Sequence, residues 1–354
     1  MTTFQLKRVS DLSDADWSLW LDIQERTDVY ESPYFRPEFT RCVAAVRRDV
    51  EVAVLLEQGQ TIGFFPFQRG KLNLGKPIGG KMSDFHGPIV RQGAQFDAQE
   101  FLAACKLASW DFDHLVSATA AFEPHTTIKD KSPQMDLAEG FAEYARCRRE
   151  AGSDAVHRQG QKSRKLTREV GPLDFVFDAD DEEAYAVLLR WKSDQYNRTG
   201  LTDVFSFPWT LELLTKLREQ RGAEFSAPLT VLRAGDKIAA ACLSLRSRGV
   251  LHSWFTAYNP ELSSYSPGLA LFVRMAEEAQ QLGIHKIDLG RGEERYKWSL
   301  ASGNVEVCEG SVSSRSLATL LRASWRQTRD WVNRSPLAGS TKLLKPIREW
   351  MAYH

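Results

Sequence analysis

Residues 265–301 read YSPGLALFVRMAEEAQQLGIHKIDLGRGEERYKWSLA. Ser266, Pro267 and Gly268 set a hydroxyl cap, a residue without an amide proton and a residue without a side chain in a row, the chemistry of a helix start. Leu269, Phe272, Val273 and Ala276 then recur at helical spacing and lay one apolar stripe along that helix, with Gly283 as its stop. The apolar run 284–289 follows at once and reads as a buried strand.

Upstream, strand-like runs at 228–233, 237–246 and 250–257 are separated by the turns Ala234-Gly235-Asp236 and Arg248-Gly249, an antiparallel meander. Before them, Asp180 and Asp181 precede Ala184, Val187, Leu188 and Trp191 in a helix that stops at Gly200. Pro208 opens another, with Leu211, Leu214 and Leu217 on one side. Helix pair, meander, helix and strand make an α+β order whose sheet is mostly antiparallel with one crossover. Downstream, 305–312 reads as a further strand and 317–354 as a basic helical tail bearing Trp325, Trp331 and Trp350.

The first third alternates in the same way. Trp17, Trp20 and Leu21, then Phe39, Cys42, Val43 and Val46, have helical spacing, and 51–68 reads as a hairpin turning at Gln58-Gly59. Residues 71–93 are rich in glycine and proline and read as a loop that sets Asp84 and His86 among apolar neighbours, either as a turn cap or as a site lining. Helix, strand and helix are expected at 97–108, 112–117 and 135–149. Between Arg146 and Arg168 eight basic residues face two acidic ones, which predicts one long basic helix joining two halves. Such a run is a solvated face or a receptor for phosphates.

A chain of 354 residues is long enough for two compact domains, and its 43% hydrophobic and 26% charged residues exclude a disordered or membrane-embedded chain. Its 46 basic and 46 acidic side chains cancel, which argues against DNA as a partner. Five scattered cysteines without a CxxC pair suggest neither a disulfide framework nor a local zinc site, so no metal is expected. With no signal segment and no apolar run long enough to span a bilayer, a cytoplasmic location fits. Walker, dinucleotide-binding, zinc-protease and nucleophile-elbow motifs are absent.

The residues from Ser266 to Trp298 remain as carriers of chemistry. The turn at Ser266, Pro267, Gly268 and Leu269 offers amides and the positive end of a helix dipole, suited to a pyrophosphate, and Gly268 lets a ligand approach the backbone. Asp288 ends a strand and opens a loop, Gly290-Arg291-Gly292-Glu293-Glu294-Arg295-Tyr296-Lys297-Trp298, crowded with charged and aromatic residues. The alternative is a salt-bridged turn with Asp288 paired to Arg291 or Lys297.

With "YSPGLAL" and "GIHKIDLGRGEERYKWSLA", the stretch from about Gln159 to Ala301 resembles the acetyltransferase-like domain of cellulose-biosynthesis CelD-type proteins, within the GNAT superfamily and related to the FemAB peptidyltransferases. "SPYFRPEF" and the loop around "SDFHGP" resemble the N-terminal region of CelD-type chains, where a degenerate GNAT-like lobe is expected. The resemblance implies two GNAT-like lobes of α+β class: residues 1–150, a C-terminal GNAT domain at 151–312, and the tail 313–354. It implies an acyl-CoA such as acetyl-CoA as co-substrate, with its pyrophosphate at Ser266, Pro267, Gly268 and Leu269. These residues depart from the family's usual Q/R-x-x-G-x-G/A loop.

By the same resemblance, Lys297 stabilises charge on the reacting carbonyl. An attacking amine must lose a proton, which makes Asp288 and Glu293 candidate bases and Tyr296 or Tyr265 proton donors to the leaving thiolate. Arg291 would hold an anionic substrate or the cofactor phosphates, and Asp84 and His86 are further candidate substrate contacts. The implied function is N-acyl transfer to an amine, less readily a hydroxyl, of a sugar or cell-envelope (exopolysaccharide) precursor. An aminoacyl-tRNA-dependent transferase, with the basic helix on phosphates, and a non-catalytic accessory of polysaccharide synthesis are the rivals. The tail either contacts a membrane peripherally or packs back on the protein.

Overall fold

The computed structural model describes residues 2–116 and 120–314. The chain opens with β1 (Thr2–Arg8), α1 (Asp14–Glu25), α2 (Pro37–Val46), β2 (Val50–Glu57), β3 (Gln60–Arg69) and β4 (Leu74–Pro77). It continues with β5 (Ile89–Val90), α3 (Ala98–Ala104), β6 (Ser109–Val116), β7 (Thr126–Asp136), α4 (Phe141–Glu150) and α5 (Ala155–Glu169). Next come β8 (Leu173–Val176), α6 (Glu182–Thr199), α7 (Pro208–Arg218), β9 (Phe225–Ser226), β10 (Leu229–Ala234) and β11 (Lys237–Ser247). The last elements are β12 (Val250–Tyr258), α8 (Pro267–Glu278), β13 (Lys286–Asp288), α9 (Arg295–Leu300) and β14 (Gly303–Ser313).

Local chemistry sets many of these bounds. Asp181 caps α6 by accepting from the Ala184 amide at 2.9 Å, and Gly200 ends it in the left-handed region. The hairpin turns at Gln58-Gly59 and the meander at Gly235, as the spacing predicts. Three expectations need correction. The helix expected at 135–149 begins only at Phe141, because Met135 and Asp136 end β7 and the chain turns at Gly140, whose φ is +86°. The single basic helix across 146–168 is two, α4 and α5, broken at Gly152 with φ +81°. The loop at 71–93 contains the short strands β4 and β5. The basic tail with Trp325, Trp331 and Trp350 lies outside the described residues.

The chain forms two compact units. One takes in residues 2–30, 37–130 and 307–314 as far as these are described; the other takes in 31–36 and 131–306. Strands of the first unit run in the order β1-β2-β3-β4-β6-β14, antiparallel except for β4 beside β6. Those of the second run β8-β10-β11-β12-β13-β7, antiparallel except for β12 beside β13. Each unit thus repeats one plan: a strand, two helices, an antiparallel meander, a helix and a parallel strand. The first unit is held by ring-on-ring packing, with Phe65 stacked on Phe101 at 4.4 Å and Trp110 edge-on at 4.9 Å. In the second, Leu271, Phe272 and Ala276 of α8 pack on Leu251 and Ile287 of the sheet, each large side chain contributing about 1.5–3 kcal/mol.

His86, a sequence candidate for substrate contact, is a buried knot of the first unit. Its Nε2 accepts from the amides of Asp113 (3.3 Å) and His114 (3.2 Å), which requires a neutral ring. Burial first of all pushes its pKa down to about 3. The unfolded chain therefore binds one more proton than the folded one between about pH 6.5 and that value, and stability rises with pH across the window. Acidification through it is expected to weaken this unit with a slope approaching about 1.4 kcal/mol per pH unit. Thermal melts over that range check this, and His86→Gln should flatten the slope.

Candidate functional site

Strands β12 and β13 pair over only three rungs, Val250 with Lys286, Leu251 with Ile287 and His252 with Asp288. The Leu289 amide then donates to the Pro133 carbonyl (3.0 Å), so the chain follows β7 while β12 runs on to Tyr258 against β11. Beyond His252 the edge of β12 that faced β13 has no partner strand among the described residues. Trp254 is one residue in excess over β11 at this point, a bulge that takes main-chain groups out of the ladder.

Helix α8 starts beside the end of β12. Ser266 stands in the left-handed region (φ 53°, ψ 56°), Pro267 is the first helical residue, and the Ala270 amide donates to the Ser266 carbonyl at 3.1 Å. The Ser266 side chain makes no cap; its Oγ accepts from Lys162 Nζ at 2.8 Å. The first-turn amides of Gly268 and Leu269 have no acceptor inside the helix, as in any helix start. A Cβ at Gly268 would meet only Tyr258 Cδ1, at 3.5 Å, so the turn is open above the glycine. Helix α5 braces the turn: Gln159 Nε2 donates to the Tyr265 carbonyl (3.2 Å), Tyr265 donates to Glu169 (2.8 Å), and Lys165 lies over the Tyr265 ring.

The equivalent helix of the first unit, α3, differs in chemistry. Asp97 accepts from the amides of Gln99 (2.7 Å) and Glu100 (2.9 Å), so a carboxylate already occupies that helix start and repels anions.

Asp288 is buried and takes part in neither expected ion pair. Its carboxylate accepts from Ser132 Oγ (2.7 Å), Gln134 Nε2 (2.7 Å) and the Gly290 amide (2.8 Å), and His252 Nδ1 lies at 3.3 Å. Burial pushes its pKa up, but His252, Gln134 and Ser132 together hold it below the ordinary carboxylate value. Lys297 donates to the carbonyls of Gly290 (3.2 Å) and Arg291 (3.1 Å) and sits 3.3 Å from the Glu294 carboxylate. Trp298 Nε1 donates to the Gly292 carbonyl (3.1 Å). The loop after β13 is thus tied down from both ends. Tyr296 stacks on Phe272, and burial pushes its phenol pKa up. Glu293 is exposed and Arg291 half-buried on the same loop.

The structure therefore places Asp288, Arg291, Glu293, Tyr296 and Lys297 on one strand end and loop, and Ser266, Pro267, Gly268 and Leu269 at the start of α8, all in one unit. Asp84 and His86 belong to the other. Lys162, His252 and Tyr34 are not among the site residues expected from the sequence; Lys162 lies in the basic run and Tyr34 within SPYFRPEF.

Residues 155–298 match the family model described as an acetyltransferase (GNAT) domain. The second unit contains a stretch that matches the GNAT acetyltransferase domain model. The matched stretch is less than half of the chain, and the GNAT plan extends beyond it by fold. FemX superimposes with a TM-score of 0.58 at 10% identity, over 90% of this chain and 99% of that one. A tandem GNAT protein from the clavulanic acid biosynthesis pathway does so with 0.52 at 11% identity, over 89% and 100%. The C-terminal domain of a protein designated lysylphosphatidylglycerol synthetase, from Agrobacterium fabrum, gives 0.53 at 14%, over 91% and 97%. At such identities the likeness is one of fold, and the tandem GNAT architecture agrees with the repeated plan of the two units. No curated protein matches the chain in sequence. Among the described residues no helix is long and apolar enough to cross a membrane.

Proposed function

We propose that the second unit transfers an acyl group from an acyl-CoA to the amine of a sugar or cell-envelope precursor. The observation that carries this reading is the start of α8, where no side chain caps the helix, Gly268 is open above, and Lys162 adds a cation at Ser266. These groups fit a pyrophosphate. The acyl-CoA supplies an activated carbonyl as a thioester.

The chain's residues supply the rest. The main chain at the Trp254 bulge, one residue in excess over β11, would supply an amide to stabilise charge on a carbonyl oxygen. Asp288 and Lys297 hold the loop that presents Arg291 and Glu293 to the acceptor, with Glu293 the base for the amine proton. Tyr296 stays protonated at neutral pH, the state a donor to a leaving thiolate needs. The first unit, with its capped α3, is the degenerate lobe. The envelope acceptor is supported by the CelD-type resemblance.

The second reading is an aminoacyl-tRNA donor, favoured by the basic run on α4 and α5. Much of that run is already paired: Arg146 with Glu143 and Glu150, Arg158 with Asp154, and Lys165 and Arg168 with Glu169. A polyanion would compete with these partners, and the acyl-CoA reading is preferred. Calorimetric titration of acyl-CoAs into the purified protein tests it, with charged and uncharged tRNA as the competing arm. Binding of tRNA alone would exchange the two readings. Lys162→Ala is expected to weaken acyl-CoA binding about tenfold and to reduce its salt dependence, as loss of one charge-assisted contact does.

A further inference from the structure

The segment Glu31–Arg36 belongs to the second unit although its chain neighbours on both sides belong to the first. Its one-turn helix, Pro33–Phe35, packs on β11 and β12. There Tyr34, buried, meets two residues of β12 edge-on: His252 at 5.0 Å and Trp254 at 6.2 Å between ring centroids. His252 is the last residue of β12 paired to β13, its partner across the rung is Asp288, and its Nδ1 lies 3.3 Å from that carboxylate. Trp254, two residues on, is the bulge.

A buried polar cluster within a sheet, here Asp288 with His252, Ser132 and Gln134, contributes less to stability than well-packed apolar residues would, and the best-attested use of such groups is to specify register. Register matters at this rung. A slip by one residue would turn every side chain of the short β13 to the opposite face and move the point where the strands part relative to the bulge. We propose that His252 and Tyr34 are positioning residues of the acyl-transfer site: His252, held by Asp288, fixes the rung at which the two strands part, and Tyr34 clamps His252 and the bulge residue Trp254 in one arrangement. The inference rests on the acyl-CoA reading for the word transfer, while the placement of the bulge can be measured without it.

The test uses the full chain labelled with fluorotryptophan, the Trp254 line being assigned with Trp254→Phe, and follows that line by fluorine NMR beside acyl-CoA affinity. Wild type is expected to show a single sharp Trp254 line. His252→Leu is expected to split or broaden it and to weaken acyl-CoA binding at least about tenfold, as small misplacements in a transfer site do. His252→Asn keeps a donor near the position of Nδ1 and is expected to restore both the single line and the affinity. Tyr34→Leu leaves the His252–Asp288 pair intact and is expected to broaden the line as well, which keeps the test decisive should His252→Leu fail to fold. An unchanged Trp254 line in Tyr34→Leu or in folded His252→Leu, or a failure of His252→Asn to restore it, overturns the proposal. Wild type that shows the expected lines across the variants but binds no acyl-CoA upholds the positioning role and overturns the acyl-CoA reading instead.

Discussion

The Gly268→Glu protein is expected to fold like the parent and to lose acyl-CoA binding by at least about 100-fold, the loss that corresponds to two charge-assisted contacts of about 1.5 kcal/mol each. Folding survives because a Cβ at this position has only Tyr258 as a neighbour, at ordinary contact distance, and because a carboxylate in the first turn of α8 favours the helix dipole. Binding is lost for the same reason. The new carboxylate stands where the pyrophosphate is proposed to lie, takes up the amides that would receive it, and repels what remains. Asp97 already arranges this at the start of α3. Calorimetry with matched thermal melts separates the two effects, and affinity within about threefold of wild type in a folded Gly268→Glu protein would move the anion site away from α8.

Asp288→Ala is expected to destabilise the second unit by about 3–5 kcal/mol, the result of removing a buried carboxylate that accepts from Ser132, Gln134 and the Gly290 amide, each bond to a charged group contributing about 1.5–3 kcal/mol. Its carboxylate joins β7 through Ser132 and Gln134, β12 through His252 and the following loop through the Gly290 amide, so that one deletion strands buried donors on all of them. For a unit of this size that is a fall in melting temperature of about 10 °C. Asp288→Asn should fall between, because the amide oxygen still accepts while its nitrogen faces a donor.

The pH dependence gives a second check. Since the folded pKa is depressed below the ordinary value of 3.8, the stabilisation from ionised Asp288 is complete above that value and is lost as pH falls through the lower, folded one. The gap between wild type and Asp288→Asn should therefore stay level from neutral pH down to about pH 4 and close below it. A gap that widens on acidification, or an Asp288→Ala protein as stable as wild type, would remove Asp288 from this anchoring role.

The elements that read clearly in the sequence are those whose cause is local. The start of α8 at Pro267, the acid cap and glycine stop of α6, and the meander from β10 to β12 each follow from a few adjacent residues and a backbone preference, although the Ser266 hydroxyl expected as a cap accepts from Lys162 instead.

Strand β7 was misread at its C-terminal end because its strongest reason for being a strand is its ladder with β13, more than a hundred residues away, and not its own pattern. Asp288 was recognised as a residue of consequence, but its nearest charged neighbours in sequence are not its partners; Ser132 and Gln134 lie 156 and 154 positions away. Tyr34 stands inside the SPYFRPEF stretch, but nothing local reveals that the segment around it joins the second unit.

By itself, then, the sequence determined most of the helices, the hairpin of β2 and β3, the meander from β10 to β12 and where α8 begins, because capping, turn geometry and amphipathic period act over a few residues. Only the tertiary structure decided that the start of α8 is left without a side-chain cap while Asp97 caps α3, that Lys162 reaches Ser266, and which buried groups surround Asp288 where β12 and β13 part. Those outcomes depend on hydrogen bonds and packing between residues far apart in the chain, and no local pattern encodes them.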